Sequence, residues 1–85
     1  MLGRYFMNEL VGFVNGNNMR QKVLSLLASN GEMDRKRISK TLHIVEISME
    51  KTLGELEEKE LIVKKGEVYS LTETGVKIEK ITQKI

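Results

Sequence analysis

The chain contains no cysteine, no tryptophan and only one histidine, and each shortage removes a class of protein. Without cysteine there is neither a disulfide framework nor a thiolate metal site, so a reducing compartment is compatible and the cytoplasm is the expected location. No segment approaches the ~20 apolar residues of a membrane helix. Asn8, Glu9 and Gly12 interrupt the apolar N-terminal stretch, so a continuous signal-peptide core is not expected either. The expectation is a soluble protein with no membrane partner. His43 and Asp34 are alone of their kinds, which leaves no triad and no histidine-rich metal cluster. Glu55, Glu57, Glu58 and Glu60 around Lys59 read as a solvated helix end, and no Gly-rich phosphate loop accompanies them. No enzyme, metal or cofactor is expected. Four aromatic residues, Tyr5, Phe6, Phe13 and Tyr69, are too few for stacking-based recognition of single strands, and most belong in a core.

What is present describes a small globular domain. Hydrophobic residues make up 40% and charged residues 31%, outside the balance of disordered chains. Eighty-five residues form one domain, near the size at which a single core holds itself only marginally, so oligomerisation is a standing expectation. The net charge of +2 is unevenly spread. Arg35, Lys36, Arg37 and Lys40 outweigh Asp34 over residues 34–43, whereas over 46–60 six glutamates outweigh Lys51 and Lys59. From Lys64 onward the balance is mildly basic again.

Periodicity divides the whole chain, 1–85, into helices and a hairpin. Leu2, Phe6, Leu10, Phe13 and Val14 recur at helical spacing, predicting a helix over 4–14 with a broad apolar face. After the turn at Asn15–Asn17, Asn18 with Gln21 opens a helix over 18–30 that buries Met19, Val23, Leu26 and Leu27 and stops at Gly31. Asp34 caps a short helix over 34–42 with Ile38 and Leu42 inward, and His43 and Ile44 form a turn. A longer helix spans 45–60, with Val45, Met49, Thr52, Leu53 and Leu56 on one arc and Ile47, Glu50, Lys51, Gly54 and Glu58 opposite. A hairpin over 61–71 turns at Lys64–Glu67, its alternating residues giving one inward face. Thr72 caps a last helix over 72–85, with Ile78, Ile81 and Ile85 along one side.

Two short helices, a long helix and a hairpin are the order of a winged helix-turn-helix, an α+β, mainly α fold with a two-stranded wing and extra helices at both ends. The stretch ISKTLHIVEISMEKTLGELEEKELI resembles the helix-turn-helix of MarR/ArsR-type regulators, particularly the small single-domain winged-helix proteins common in archaea. YSLTETG resembles their wing-to-helix motif, and the match covers roughly residues 19–77. The resemblance implies that 34–42 is the support helix, 45–59 the recognition helix and 64–67 the wing tip. It departs from the family's pattern at Val45, where a polar N-cap is usual, and at Glu60, where a glycine is usual.

The resemblance implies double-stranded DNA as partner and a role as a small transcriptional regulator. In that reading Arg35, Lys36 and Arg37 hold phosphates at a helix start, and Lys64 and Lys65 touch the backbone or minor groove from the wing. Ile47, Ser48, Glu50 and Lys51 face the major groove, Ile47 toward a thymine methyl and Glu50 toward a cytosine amino group. The bland alternative for Arg35–Arg37 is a solvated charged face, and for Ile47 an isolated exposed apolar residue. A protein–protein interaction module is the competing function: Ile47 and Gly54 form a smooth apolar strip flanked by acids that would suit a basic partner. Phe6, Leu10, Phe13, Val14, Ile78, Ile81 and Ile85 are the expected homodimer contacts, unless those stripes simply cover the chain's own core. No effector pocket, operator or regulatory sign is readable.

Overall fold

The unpaired backbone groups of a helix terminus need partners, and side chains supply them at Asn17 and Asp34, while the helices that start at Met7 and Glu46 have no side-chain cap. The computed structural model describes residues 6–83. In chain order these form α1 (Met7–Asn15), α2 (Asn18–Asn30), β1 (Met33–Asp34), α3 (Arg35–Leu42), α4 (Glu46–Glu58), β2 (Ile62–Lys65), β3 (Val68–Leu71) and α5 (Glu73–Gln83). Asn17, one residue before the expected cap, opens α2 by accepting from the N–H groups of Met19 at 2.8 Å and Arg20 at 3.2 Å. Asp34 caps α3 as the sequence predicts, accepting from the Arg37 N–H at 2.7 Å.

Two helices end in a left-handed turn without glycine. At the end of α3, His43 has φ 58°, the Ile44 N–H donates to the Ser39 carbonyl at 2.9 Å and the His43 N–H donates to the Lys40 carbonyl at 3.3 Å. At the end of α4, Glu60 has φ 61°, the Leu61 N–H donates to the Leu56 carbonyl at 3.0 Å and the Glu60 N–H to the Glu57 carbonyl at 2.9 Å. Both are Schellman closures, and both turn the chain sharply toward the next element.

The core is formed by Leu10 and Val14 of α1, Val23, Leu24 and Leu27 of α2, Ile38 of α3, Met49, Leu53 and Leu56 of α4, the hairpin's Leu61, Ile62 and Tyr69, and Ile78 of α5, with Met33. Three expectations change here. Leu24 is fully buried where Met19 and Leu26 are only half-buried, so the inward face of α2 is rotated from the predicted one. Val45 is 71% exposed because it is the extended residue before α4 and does not follow that helix's periodicity. Leu10, Val14 and Ile78, expected at a dimer interface, are instead buried inside the chain, as α5 packs on α1 and α2. A side chain consumed by its own core cannot also cover a partner.

Phe13 is likewise engaged internally. The Arg20 guanidinium lies 3.8 Å from its ring centroid, donates to the Phe13 carbonyl at 2.8 Å and pairs with Glu55 at 3.2 Å, while Lys59 Nζ lies 5.5 Å from the same ring. This contact ties α1, α2 and α4 together through one side chain. Residues 4 and 5 of the predicted first helix, with Leu2 and Ile85, lie outside the described residues.

The sheet has three strands in the order β1-β3-β2, all antiparallel, so the wing is one strand larger than the hairpin expected. Met33 pairs with Tyr69 and Asp34 with Val68, which fastens the start of α3 to the wing. The β2–β3 register pairs Ile62 with Leu71 and Lys64 with Tyr69, placing Ile62 rather than Val63 on the face of Tyr69 and Leu71. Only Gly66 and Glu67 form the loop, and the positive φ of 62° at Gly66 is what the first position of a type II′ turn requires. Beyond the hairpin, Thr72 Oγ1 donates to the Glu60 carbonyl at 2.7 Å and accepts from the Gly75 N–H at 3.0 Å. A Cβ at Gly75 would collide with the Leu61 carbonyl, so the T-x-x-G spacing is set by a close approach of backbones. No described helix is long and apolar enough to cross a membrane.

Candidate nucleic-acid interface

The outer side of the helix-turn-helix is built by three elements that converge. The start of α3, the start of α4 and the wing border one cleft, lined by Asp34, Arg35, Lys36, Glu46, Lys64, Glu67 and Tyr69. β1 makes this convergence: its pairing with β3 sets Asp34, the cap of α3, directly opposite Val68 on the strand that carries Tyr69. A second, more open groove lies along α3 toward the start of α4, between Lys36, Arg37, Lys40, His43, Ile44 and Val45.

Lys64 and Lys65 belong to β2 and not to the turn where the sequence placed them. Both are exposed, and Lys64 Nζ lies 5.7 Å from the buried Tyr69 ring, so its ammonium is steered along the sheet face. Lys36 and Arg37 are exposed on the first turn of α3, while Arg37 also supplies the N–H that Asp34 caps.

Arg35 has a different environment from its neighbours. Its Nε lies 3.4 Å from Glu46 Oε1, an ion pair without hydrogen-bond geometry, and its Nη1 hydrogen-bonds to Glu50 Oε2 at 3.2 Å. Glu46 and Glu50 are one helical turn apart on the same face of α4, where two carboxylates repel. The guanidinium from α3 offsets that repulsion and fixes the two helices at their outer edge. Glu46 had no functional reading from sequence. Its part in this contact depends on a partner on another helix, for which the local spacing carries no signal.

The exposed face of α4 carries Ile47, Ser48, Glu50 and Lys51, as predicted, with Gly54 and Glu58 further along. Ile47 is 82% exposed and Val45 71%, making the leading end of the helix its most apolar exposed part. Val45 was missed as a surface residue because it was assigned to the helix arc. At the terminal helices Phe6 is 71% exposed and Ile81 39%; of the expected dimer contacts among the described residues these two remain on the surface, with Phe13 half-buried.

No protein-family model matches the chain, and no curated protein matches it. Solved structures do. The transcriptional repressor CouR bound to p-coumaroyl-CoA superposes with a TM-score of 0.78 at 25% identity, over 92% of this chain and 58% of CouR. A substituted Lactococcus lactis ZitR gives a TM-score of 0.74 at 28% identity, over 80% of this chain and 51% of ZitR. RV1404 from Mycobacterium tuberculosis has the same fold at 16% identity, with a TM-score of 0.74 over 92% of this chain and 59% of its own. The chain thus spans little more than half the length of these proteins. It has a winged helix-turn-helix fold and is similar to regulators of the MarR/ArsR-like kind, CouR among them.

Proposed function

We propose that this chain binds double-stranded DNA as a small transcriptional regulator, acting as a homodimer in the cytoplasm. The observation that carries the reading is the shared cleft: Lys36 of α3 and Lys64 of the wing line it together with Glu46 at the leading end of α4. A helix bordered by cations from two other elements can enter the major groove while those cations meet phosphates on its flanks. Similarity to CouR, a transcriptional repressor, supports the same role. In this reading Lys36, Arg37, Lys64 and Lys65 make backbone contacts, and Ile47, Ser48, Glu50 and Lys51 face base edges. The homodimer would place two α4 helices on half-sites about one helical turn apart, using the exposed Phe6 and Ile81.

Fluorescence anisotropy with mixed-sequence duplexes across a salt series tests the reading. The expected result is binding that weakens steeply as salt rises, because each phosphate contact releases counterions. Absent binding, or binding indifferent to salt, rejects it. If a stable complex with a basic protein formed under conditions where duplexes were ignored, the exposed apolar end of α4 would belong to a protein interface.

A further inference from the structure

Arg35 leads a basic run and would ordinarily be assigned to phosphate binding together with Lys36 and Arg37. Its geometry is that of a side chain already committed, with both ends of the guanidinium turned onto glutamates of α4. Building on the DNA-binding reading, we propose that Arg35 is a positioning residue for base recognition: it holds Glu50 so that α4 reads a cytosine, next to a thymine met by Ile47.

The chemistry favours that base pair. In the major groove guanine presents N7 and O6, and thymine O4, all acceptors that repel a carboxylate oxygen; adenine offers one donor beside the N7 acceptor. Cytosine presents its amino group, a donor. Glu50 Oε2 is taken by Arg35, and among the described residues Oε1 makes no hydrogen bond, so one acceptor remains to face outward. Glu50 is exposed, with 67% of its side-chain surface accessible. A long glutamate on its own could swing away from an unfavourable base and lose discrimination, whereas one fixed by an ion pair is already ordered before binding. Ile47, three residues earlier and 82% exposed, shares the surface with Glu50. Helical neighbours at that spacing have Cβ atoms about 5–6 Å apart, which is within two base-pair steps of about 3.4 Å each. The apolar and acidic side chains therefore address neighbouring pairs, thymine by its methyl and cytosine by its amino group.

The clamp also limits the repulsion that two carboxylates would meet at DNA. Glu46, Glu50 and Arg35 together carry one net negative charge instead of two, with Lys36 and Lys64 on the same cleft.

The experiment selects duplexes from a randomised pool with the whole chain, then measures anisotropy on the selected duplex and on one with the cytosine pair replaced. The wild type should enrich a C·G pair beside a T·A pair and prefer it at least about five-fold. Glu50→Ala should bind both duplexes alike, its affinity for the selected duplex falling toward that for the replaced one. Arg35→Ala should also blur the preference while leaving the salt slope unchanged; Lys64→Ala should lower that slope by about 0.9 with the preference intact. Arg35→Lys, which keeps the charge but loses the planar fork, should fall between wild type and Arg35→Ala in preference. A drop in slope for Arg35→Ala with the base preference intact would make Arg35 a phosphate contact and overturn the inference, as would a preference that survives Glu50→Ala. Wild-type binding to all duplexes equally overturns the inference and leaves the proposed function standing. Failure to bind any duplex removes both.

Discussion

Glu60 holds a backbone conformation that suits glycine better than glutamate, at the residue that closes α4 and starts the wing. A left-handed conformation costs an L-residue roughly 1–2 kcal/mol, part of which a glycine would return through its freer unfolded state. Glu60→Gly is expected to stabilise the fold by about 0.5–1 kcal/mol, raising the melting temperature by a few degrees, as circular dichroism would show. Twelve residues later the opposite holds. Thr72 satisfies both the Glu60 carbonyl and the Gly75 N–H, and a side chain at Gly75 would strike the Leu61 carbonyl. Thr72→Ala should cost about 1–2 kcal/mol as a lost cap, and Gly75→Ala about 1–3 kcal/mol as overpacking against backbone, both measured by urea unfolding. Of these three positions, the cap at Thr72 is legible in sequence because the signal is local. The departure at Glu60 is visible too, but its left-handed geometry appears only when the helix end is built. The reason for Gly75 is a contact with the backbone of Leu61, fourteen residues away and just before β2, which no local pattern reveals.

At the level of elements, the predicted helices and hairpin are present with their ends moved by a few residues, since periodicity and capping residues act over one or two turns. β1 could not be anticipated. Met33 and Asp34 are too few to show a strand pattern, and their pairing with Tyr69 and Val68 depends on the whole fold. That same pairing assembles the candidate site, so the site was less legible than the elements around it. Sequence named the cations of α3 and the wing but could not separate Arg35, which pairs with Glu46 and Glu50 of α4, from its exposed neighbours Lys36 and Arg37. Among the helices Arg20 makes several ties at once, stacked on Phe13, donating to its carbonyl and paired with Glu55. Arg20→Ala is expected to destabilise the fold by about 2 kcal/mol through the lost ring contact and charge-assisted bonds. Chemical denaturation would show the loss as a lower midpoint with little change in slope.

For the whole molecule, two faces remain to be assigned. The broad apolar stripes of the terminal helices, read from sequence as too wide for one small core, are mostly used within the chain, because Leu10, Val14 and Ile78 are completely or almost completely buried. Among the described residues the proposed homodimer therefore has a narrower exposed set, Phe6 and Ile81, than periodicity alone implies. Sedimentation velocity at micromolar concentration should show a dimer that Phe6→Asp weakens; a monomer across that range would remove the prediction of paired half-sites. The other face, where α3, α4 and the wing meet, is the one proposed to hold duplex DNA, through the lysines of α3 and the wing that line its cleft. The most direct measurement is the salt dependence of duplex binding by wild type and by Lys64→Ala with Lys65→Ala. Loss of two phosphate contacts should lower the slope of log affinity against log salt by about 1.8. An unchanged slope and unchanged affinity in the double variant would contradict the account.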